Sequence, residues 1–148
     1  MDNVTFKQVS SRVELNGAFS VRRDVFIGEQ NIAEEEEYDG LDDDCLQFIA
    51  RSDKKVIGTA RVRFPPSDHA KIERMAVLKQ FRRQGIGMRI LACIEEELKG
   101  RQVTEAVLHA QMIAVPFYKA CGFTAIGSTF YEAGIEHIKM QKRLVTSA

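Results

Sequence analysis

Residues 82–87 read RRQGIG and join a predicted strand over 70–78 to an amphipathic helix. The helix is predicted over 85–100, because apolar residues recur at helical spacing at Ile90, Leu91, Ile94 and Leu98. A helix start exposes unpaired backbone N–H groups at the positive end of the helix dipole. The two glycines let an anion approach these groups closely, and Arg82 and Arg83 add charged donors. The stretch therefore predicts a diphosphate site at a strand-to-helix turn.

Two glycines in a turn are weak evidence on their own, because a tight strand-to-helix corner explains them as well. The flanking arginines favour the anion site. Two other phosphate motifs are disfavoured by their spacing. A Rossmann fingerprint needs a third glycine where Ile90 stands, and a P-loop needs Gly-Lys-Ser/Thr, which the sequence lacks. We therefore expect neither a nicotinamide site nor an ATP site.

The chain of 148 residues carries 21 basic and 21 acidic side chains, so its formal net charge is zero. This length fits one domain, and the absence of repeats and Gly/Ser linkers predicts a single domain over 1–148. Zero net charge disfavours a generic nucleic-acid binder. The basic stretch 71–89 is better explained by one diphosphate, so we expect no nucleic-acid partner.

The cysteines and the apolar runs bear on metal binding and on compartment. Cys45, Cys93 and Cys121 form no C-x-x-C pair and no Cys/His cluster, so we expect no metal site. An odd number of cysteines fits a reducing compartment. The N-terminus lacks the features of a signal peptide, and no apolar run is long enough to span a membrane. We expect a cytoplasmic protein with no membrane partner.

Strand composition and turn residues predict further strands on both sides of this turn, at 4–9, 45–51, 55–64, 103–110, 123–131 and 135–144. A first helix is predicted from Ser10 or Ser11 to near Gly28, with Val13, Ala18, Phe19, Val25 and Phe26 on or near its apolar side. A short helix over 115–121 ends at Gly122. The order β-α-β-β-β-α-β-α-β-β predicts an α/β fold, a mixed sheet of about seven strands flanked by helices.

Two motifs on this framework are shared with a known family. Ala76-Val77 precedes Arg82-x-x-Gly85-x-Gly87, and Phe117-Tyr118-x-x-x-Gly122-Phe123 follows. Together they resemble the acetyl-CoA signature and the second landmark of the GNAT superfamily of N-acetyltransferases. Val25-Phe26-x-x-Glu29-Gln30 is similar to the ElaA-like branch of that superfamily. The resemblance implies a sheet splayed between its fourth and fifth strands, with the pantetheine arm in the cleft.

The resemblance implies acetyl-CoA as cosubstrate. Its pyrophosphate is expected on the turn, at Arg82, Arg83, Gln84, Gly85, Ile86, Gly87 and Met88. Met75 and Val77 would offer backbone groups to the pantetheine, and an N–H near Ala76 or Val77 would stabilise the oxyanion. Imperfect alternation along 73–78 suits a bulge that opens this strand edge. Gln111 stands where many members have asparagine, and its amide can still contact CoA.

An attacking amine must lose a proton, since the reference pKa of an alkylammonium is about 10.4. Glu73 is the candidate base, and the alternative is a structural carboxylate paired with Arg74 or Arg61. His109 could relay a proton, although a lone strand histidine is more often structural. Tyr118, by resemblance, would protonate the departing thiolate, and the alternative is a core tyrosine.

The segment 29–44 contains nine acidic residues and no basic one. Charge runs are usually solvated loops, and that is the first expectation here. The alternative is a wall of the acceptor pocket, where carboxylates would attract a cationic amine.

Two hypotheses of function follow. The first is an N-acetyltransferase that moves acetyl from acetyl-CoA to a primary amine of a small molecule or peptide, by direct attack in a ternary complex. Cys121 has no assigned base beside it, which disfavours a covalent acyl-enzyme. The second is a non-catalytic acyl-CoA-binding regulatory module. The sequence leaves open the acceptor, the acyl chain and whether the chain forms a homodimer.

Overall fold

The computed structural model describes residues 3–66 and 69–145, which form a seven-stranded sheet with helices on it. In chain order the strands are β1 (Val4–Gln8), β2 (Leu46–Ser52), β3 (Lys55–Arg63), β4 (Ala70–Val77), β5 (Glu105–Gln111), β6 (Thr124–Glu132) and β7 (Ile135–Arg143). The helices are α1 (Arg12–Arg22), a π-helix that continues it (Arg23–Glu29), α2 (Glu34–Glu37), α3 (Ile86–Gly100) and α4 (Val115–Ala120). The predicted α/β class is confirmed, and the π-helix and α2 are additions to the predicted order.

The strands lie side by side in the order β1-β2-β3-β4-β5-β7-β6. Neighbouring strands are antiparallel except β4 and β5, which run parallel. This parallel pairing is short, because only 70–72 pair with 106–108 before the two strands separate. The sheet is therefore splayed between its fourth and fifth strands, as the resemblance implied.

A β-bulge lies on β4 just beyond the point of separation. Thr59 of β3 is opposite Ala76, whereas Arg61 is opposite Glu73, so β4 has one extra residue there. Arg74, inside the bulge, has a positive φ of 57°. The bulge expected from the imperfect alternation is confirmed. Bulges bend a strand and increase its twist, which fits the divergence of β4 from β5.

The apolar side of α3 packs against the first half of the sheet. Its buried residues are Ile86, Ile90, Leu91, Ile94 and Leu98, the stripe that the sequence predicts. They belong to one core with apolar residues of β2, β3 and β4. This packing fixes the start of α3, and with it the turn 82–87, beside the separating end of β4.

The start of α1 is confirmed at Ser11, whose hydroxyl accepts a hydrogen bond from the Glu14 N–H at 3.2 Å. Val13 is 78% exposed, so its predicted place on the apolar side is wrong. Glu14 and Ala18 occupy the buried side instead, and Val13 lies about 100° from Glu14 around the helix. Glu14 tolerates this position because Lys7 donates a hydrogen bond to its carboxylate at 2.7 Å.

The first helix changes type before it ends. The π-helix carries the chain from Arg23 to Glu29, close to the end predicted near Gly28, and it buries Val25 and Phe26 in the core. π-helical turns are rare and occur often at functional sites. Across 3–66 and 69–145, none of the helices is both long and apolar enough to cross a membrane.

Candidate functional site

The gap between β4 and β5 opens into a cavity of about 1030 Å³. Its walls include β4 from Glu73 to Val77 together with His109 and Gln111 of β5, beyond the last paired residues of the two strands. The turn before α3 and residues of α4 complete the lining. An unpaired strand edge presents free N–H and C=O groups, so the edge of β4 can bind an extended ligand in this cavity.

The turn before α3 presents a row of free backbone donors. Gly85 caps the helix with a φ of 79°, and Arg83 has a φ of 62°. Within the described residues, the backbone N–H groups from Arg83 to Met88 have no hydrogen-bond acceptor. These amides are the ones on which the sequence predicts a pyrophosphate.

Most of the residues predicted to contact CoA line the cavity: Met75, Ala76, Val77, Arg82, Arg83, Gly85, Ile86, Gly87, Met88 and Gln111. Gln84 is not in the lining, and its side-chain amide lies 3.5 Å from the carbonyl of Gln80. A Cβ on Gly87 would lie 3.1 Å from Cζ of Phe117. Glycine at this position therefore lets α4 pack closely over the turn.

Arg82 links the turn to the end of the π-helix. Its Nη1 and Nη2 donate to the Glu29 carboxylate at 3.0 and 2.7 Å, and its Nε donates to the Val77 carbonyl at 2.9 Å. The neighbouring Arg83 is exposed and forms no ion pair with a described residue. Of the two arginines, Arg83 therefore offers its charge to a ligand without giving up an existing contact.

Gln111 bridges the mouth of the cavity from the end of β5. Its Nε2 donates to Oε1 of Gln30, just beyond the π-helix, at 2.8 Å. The side-chain oxygen of Gln111 and its second N–H are then left for a ligand, and its contact with CoA stays a prediction.

Tyr118 lies on α4 in the cavity lining and is 9% exposed. Its ring meets those of Phe117 and Phe123 edge-on, with centroids 5.0 and 5.9 Å apart. No described residue accepts a hydrogen bond from its hydroxyl. Burial raises the pKa of Tyr118 well above its usual value, so the phenol stays protonated at neutral pH.

Glu73 lies at the separating end of β4 and shares its carboxylate among three cations. Arg61 Nη2 is 2.9 Å from Oε1, Arg63 Nε is 3.2 Å from Oε1, and Lys71 Nζ is 3.0 Å from Oε2. Burial of the carboxyl group opposes ionisation, but the hydrogen bonds and positive charges outweigh it and lower the pKa of Glu73 to about 2. Of the two structural partners considered from sequence, Arg61 is the one observed.

The acidic segment is held by buried arginines, so the expectation of a solvated loop is wrong for its central part. Arg22 Nε and Nη1 lie 2.6 Å from Glu37 Oε2 and Asp42 Oδ1, and both Arg22 and Glu37 are almost inaccessible to solvent. Asp39 pairs with Arg61 at 2.6 Å and with Arg74 at 3.3 Å. Because Glu36, Glu37 and Asp39 also line the cavity, the segment forms one of its walls.

Arg22 is not among the residues predicted from sequence, and Arg61 is predicted only as a partner of Glu73. A signal for both exists in the sequence. Arg22 follows the buried Val21, Arg61 lies between the buried Ala60 and Val62, and the nine acids of 29–44 have no base of their own. An arginine whose chain neighbours are buried needs carboxylates as partners, and an acidic segment without a base of its own can supply them, although the sequence does not tell which carboxylate pairs with which arginine.

His109 is the first residue of β5 beyond its pairing with β4, and it lines the cavity. Its Nδ1 lies 3.0 Å from Oε2 of Glu132 on β6, and its ring packs edge-on against Phe130. Burial lowers the pKa of His109, with Lys71 adding to this effect and Glu132 opposing it. The imidazole is therefore neutral at pH 7.

The sequence matches the model of the acetyltransferase (GNAT) domain over residues 7–144. The chain belongs to the GNAT family of acetyltransferases. Members of this family transfer acyl groups from acyl-CoA to amine acceptors, so the protein is an acyltransferase with an acyl-CoA donor.

Individual GNAT proteins resemble the chain over almost its whole length. The uncharacterized N-acetyltransferase YjcF of Bacillus subtilis is 36% identical over 130 residues, which cover 87% of this chain and 92% of YjcF. A solved structure from Lactobacillus plantarum has a TM-score of 0.90 at 25% identity, covering 97% of this chain and 100% of that one. Escherichia coli ElaA has a TM-score of 0.83 at 22% identity, covering 94% and 99%. The likeness to ElaA is confirmed at the level of the fold.

Proposed function

We propose that the protein transfers an acetyl group from acetyl-CoA to a primary amine, by direct attack of the amine within a ternary complex. The observation that carries this proposal is the row of free amides from Arg83 to Met88 beside the unpaired edge of β4. A helix start of this kind binds a phosphate, and an open strand edge binds an extended amide chain. CoA contains both groups in one molecule.

Each part of acetyl-CoA would contact a different part of the cavity wall. The pyrophosphate would accept hydrogen bonds from the turn amides, with Arg83 supplying charge. Backbone groups of Met75 and Val77 would pair with the pantetheine arm. A backbone N–H near Ala76 or Val77 would donate to the carbonyl oxygen of the acetyl group as negative charge develops there. Gln111 would contact the arm through its side-chain oxygen.

Tyr118 is the group proposed to assist the departing thiolate. Its raised pKa lies above the pKa of about 8.5 of an ordinary thiol, so complete transfer of its proton is unfavourable. A hydrogen bond donated by the phenol to the developing thiolate requires no such transfer. Replacement of Tyr118 by phenylalanine should therefore lower kcat while leaving the binding of acetyl-CoA intact.

Glu73 is a weak candidate for removing the proton of the amine. Its pKa of about 2 lies roughly 8 units below that of an alkylammonium, so it holds a proton poorly. Its contacts suit another task, because it fixes Arg63 and Lys71 at the cleft. We propose that Glu73 shapes the acceptor side as a permanent anion, and that the proton leaves by another group.

A non-catalytic acyl-CoA-binding module is the second candidate. The observation that favours it is the ion-paired Glu73, because a chain whose expected base holds a proton poorly can bind the donor without turning it over. Turnover separates the two functions. In a panel of amines with acetyl-CoA and a thiol reagent, an enzyme releases CoA in an amine-dependent manner, whereas a binding module shows only spontaneous hydrolysis.

Binding of the donor is tested by melting curves and calorimetry with CoA and acetyl-CoA. A ligand at 100 times its Kd adds about 2.7 kcal/mol of apparent stability, so the melting temperature should rise clearly. Arg83→Glu, which places a negative charge in the turn, should raise Kd at least tenfold. Lys79→Glu makes the same charge change on an exposed side chain outside the cavity lining and should have a much smaller effect. An unchanged melting temperature at millimolar CoA would contradict the proposal.

A further inference from the structure

We propose that His109, oriented by Glu132, is the catalytic base that takes the proton from the acceptor amine. This inference rests on the proposed function and adds the residue that handles the proton. It starts from the position of His109 at the apex of the cleft. Ile72 and Leu108 are the last paired residues of β4 and β5, so Glu73 and His109 are the first residues on the two diverging walls.

Strand register places the supporting residues on the same face of the sheet. His109 is opposite Lys139 on β7, and His137, two residues away from Lys139, shares its face. Phe130 of β6 is opposite His137, and Glu132 follows Phe130 by two residues. Alternation along the strands therefore brings the carboxylate of Glu132 to the imidazole of His109, and both line the cavity.

The contact with Glu132 fixes which ring nitrogen is available. An ionised carboxylate is only an acceptor, so Nδ1 of His109 carries the proton in the 3.0 Å contact. The lone pair then lies on Nε2, the position needed in a base. The same carboxylate stabilises the imidazolium that forms when Nε2 takes a proton. Glu132 is thus a positioning residue that acts through His109.

His137 is the competing histidine and is less suited to the task. Its Nδ1 lies 2.7 Å from the Ile135 carbonyl, which also leaves the lone pair on Nε2. Its ring stacks on Phe130, and the residue is 8% exposed. No carboxylate among the described residues contacts it, so an imidazolium at this position lacks the partner that His109 has.

The proposed step forms one C–N bond and breaks one C–S bond. Nε2 of His109 accepts a proton from the ammonium form of the acceptor, and the free amine attacks the thioester carbonyl carbon. The new C–N bond forms, the C–S bond breaks, and the sulfur leaves as a thiolate. The attacking nitrogen loses its second proton as the C–S bond breaks, and the thiolate takes up one proton, so the products are the neutral amide and CoA, and His109 returns its own proton to water.

The test is the pH dependence of kcat and kcat/KM for the full chain with acetyl-CoA and an amine that it turns over. The charged or titratable groups facing His109 are Lys71 and Glu73 on β4, Glu132 on β6, and His137 and Lys139 on β7. With a neutral His109 as base, activity should fall on the acid side below the usual histidine range. His109→Gln should remove this acidic limb and lower kcat about 100-fold or more.

Glu132→Gln tests whether Glu132 positions His109 for catalysis or has only a structural role. Glutamine keeps an oxygen that accepts from Nδ1 but removes the charge that raises the pKa of His109. The acidic limb should therefore move to lower pH, and kcat should fall less than in His109→Gln while KM for the amine stays within about twofold. NMR of the ring nitrogens gives a readout independent of activity, with Nδ1–H and a basic Nε2 expected for His109.

His69→Gln is the matched control, because His69 also pairs with a carboxylate, Glu105, at 3.1 Å but lies outside the cavity lining. It should retain the activity and pH profile of the parent chain. The inference is overturned if His109→Gln keeps the acidic limb, or if only His137→Gln removes it. Binding of acetyl-CoA by each variant separates the outcomes. A His109→Gln chain that keeps the parent kcat refutes this inference alone, whereas a parent chain that neither binds acetyl-CoA nor turns it over refutes the proposed function.

Discussion

Arg61 is the side chain that holds together the acidic wall of the cavity. It lies in the middle of β3 with no solvent exposure, and its guanidinium contacts Asp39 at 2.6 Å, Asp42 at 3.1 Å and Glu73 at 2.9 Å. Removing such a charge from water is costly, and the surrounding carboxylates offset the cost. The contacts with Asp39 and Asp42 hold the acidic segment against the sheet.

Substitution of Arg61 by alanine leaves these carboxylates without their shared partner. We expect the free energy of unfolding to fall by about 3–5 kcal/mol, the usual effect of breaking a buried ion pair from one side. Urea denaturation measures this change. Arg101→Ala removes an exposed pair with Glu97 and should change stability little. A similar small effect of both variants would show that the buried cluster does not hold the segment.

At the scale of single residues, the sequence predicts what depends on local geometry. Ser11 as a helix cap and the positive φ of Gly122 follow from residue type and from neighbours in the chain. From the sequence, Glu73 has two candidate partners, Arg61 and Arg74, and the folded chain selects Arg61. The contact between Arg22 and Asp42, 20 residues apart, requires the folded chain, because no periodicity relates an acidic run to its partner.

At the scale of elements, the predicted strands agree closely with those observed, and the first helix agrees in its bounds but not in its change to a π-helix after Arg22. Alternation and turn residues mark each strand locally. A π-helix has no distinct hydrophobic period over one turn, so the sequence does not separate 23–29 from an ordinary helix. α2 consists of four consecutive glutamates and has no apolar stripe to reveal it.

The packing of α1 on β3 provides a test at this scale. A Cβ on Gly17 would lie 2.4 Å from Cγ2 of Val56, so Gly17→Ala must push α1 away from the sheet. We expect a loss of about 1–3 kcal/mol of stability, despite the better helix propensity of alanine. Thermal or urea unfolding measures it.

The control is Gly100→Ala at the end of α3, where an added Cβ meets no atom within 4 Å. This variant should be as stable as the parent chain or slightly more stable. Equal stabilisation in both variants would show that α1 does not approach β3 as closely as described.

At the scale of the whole molecule, we expect the carboxylates whose pKa is lowered by folding to reduce stability in acid. Hydrogen bonds and charges lower the pKa of Glu73 to about 2, and the hydrogen bond from Lys7 does the same for Glu14. An unfolded glutamate titrates near about 4.3, so below this pH the unfolded chain takes up protons before the folded one. Stability from these groups is present above that pH and is lost as the pH falls toward 2.

Urea denaturation between pH 7 and pH 3 should therefore show a free energy of unfolding that declines mainly below about pH 4.5. Glu73→Gln lacks one of the responsible groups. It should be less stable than the parent chain at pH 7, but its stability should decline less steeply in acid. The same slope in both chains would mean that Glu73 is not held as an ion in the folded protein.

The short parallel pairing of β4 and β5 joins two portions of the chain that contribute different groups to the cavity. Residues before 100 contribute the turn 82–87 and the acidic side chains to the cavity, and residues after 100 contribute Tyr118 and His109. Three residue pairs join these two contributions in the sheet. Neither portion lines the cavity alone, so we expect a substitution that breaks these three pairs to alter the cavity even when it touches none of the lining side chains.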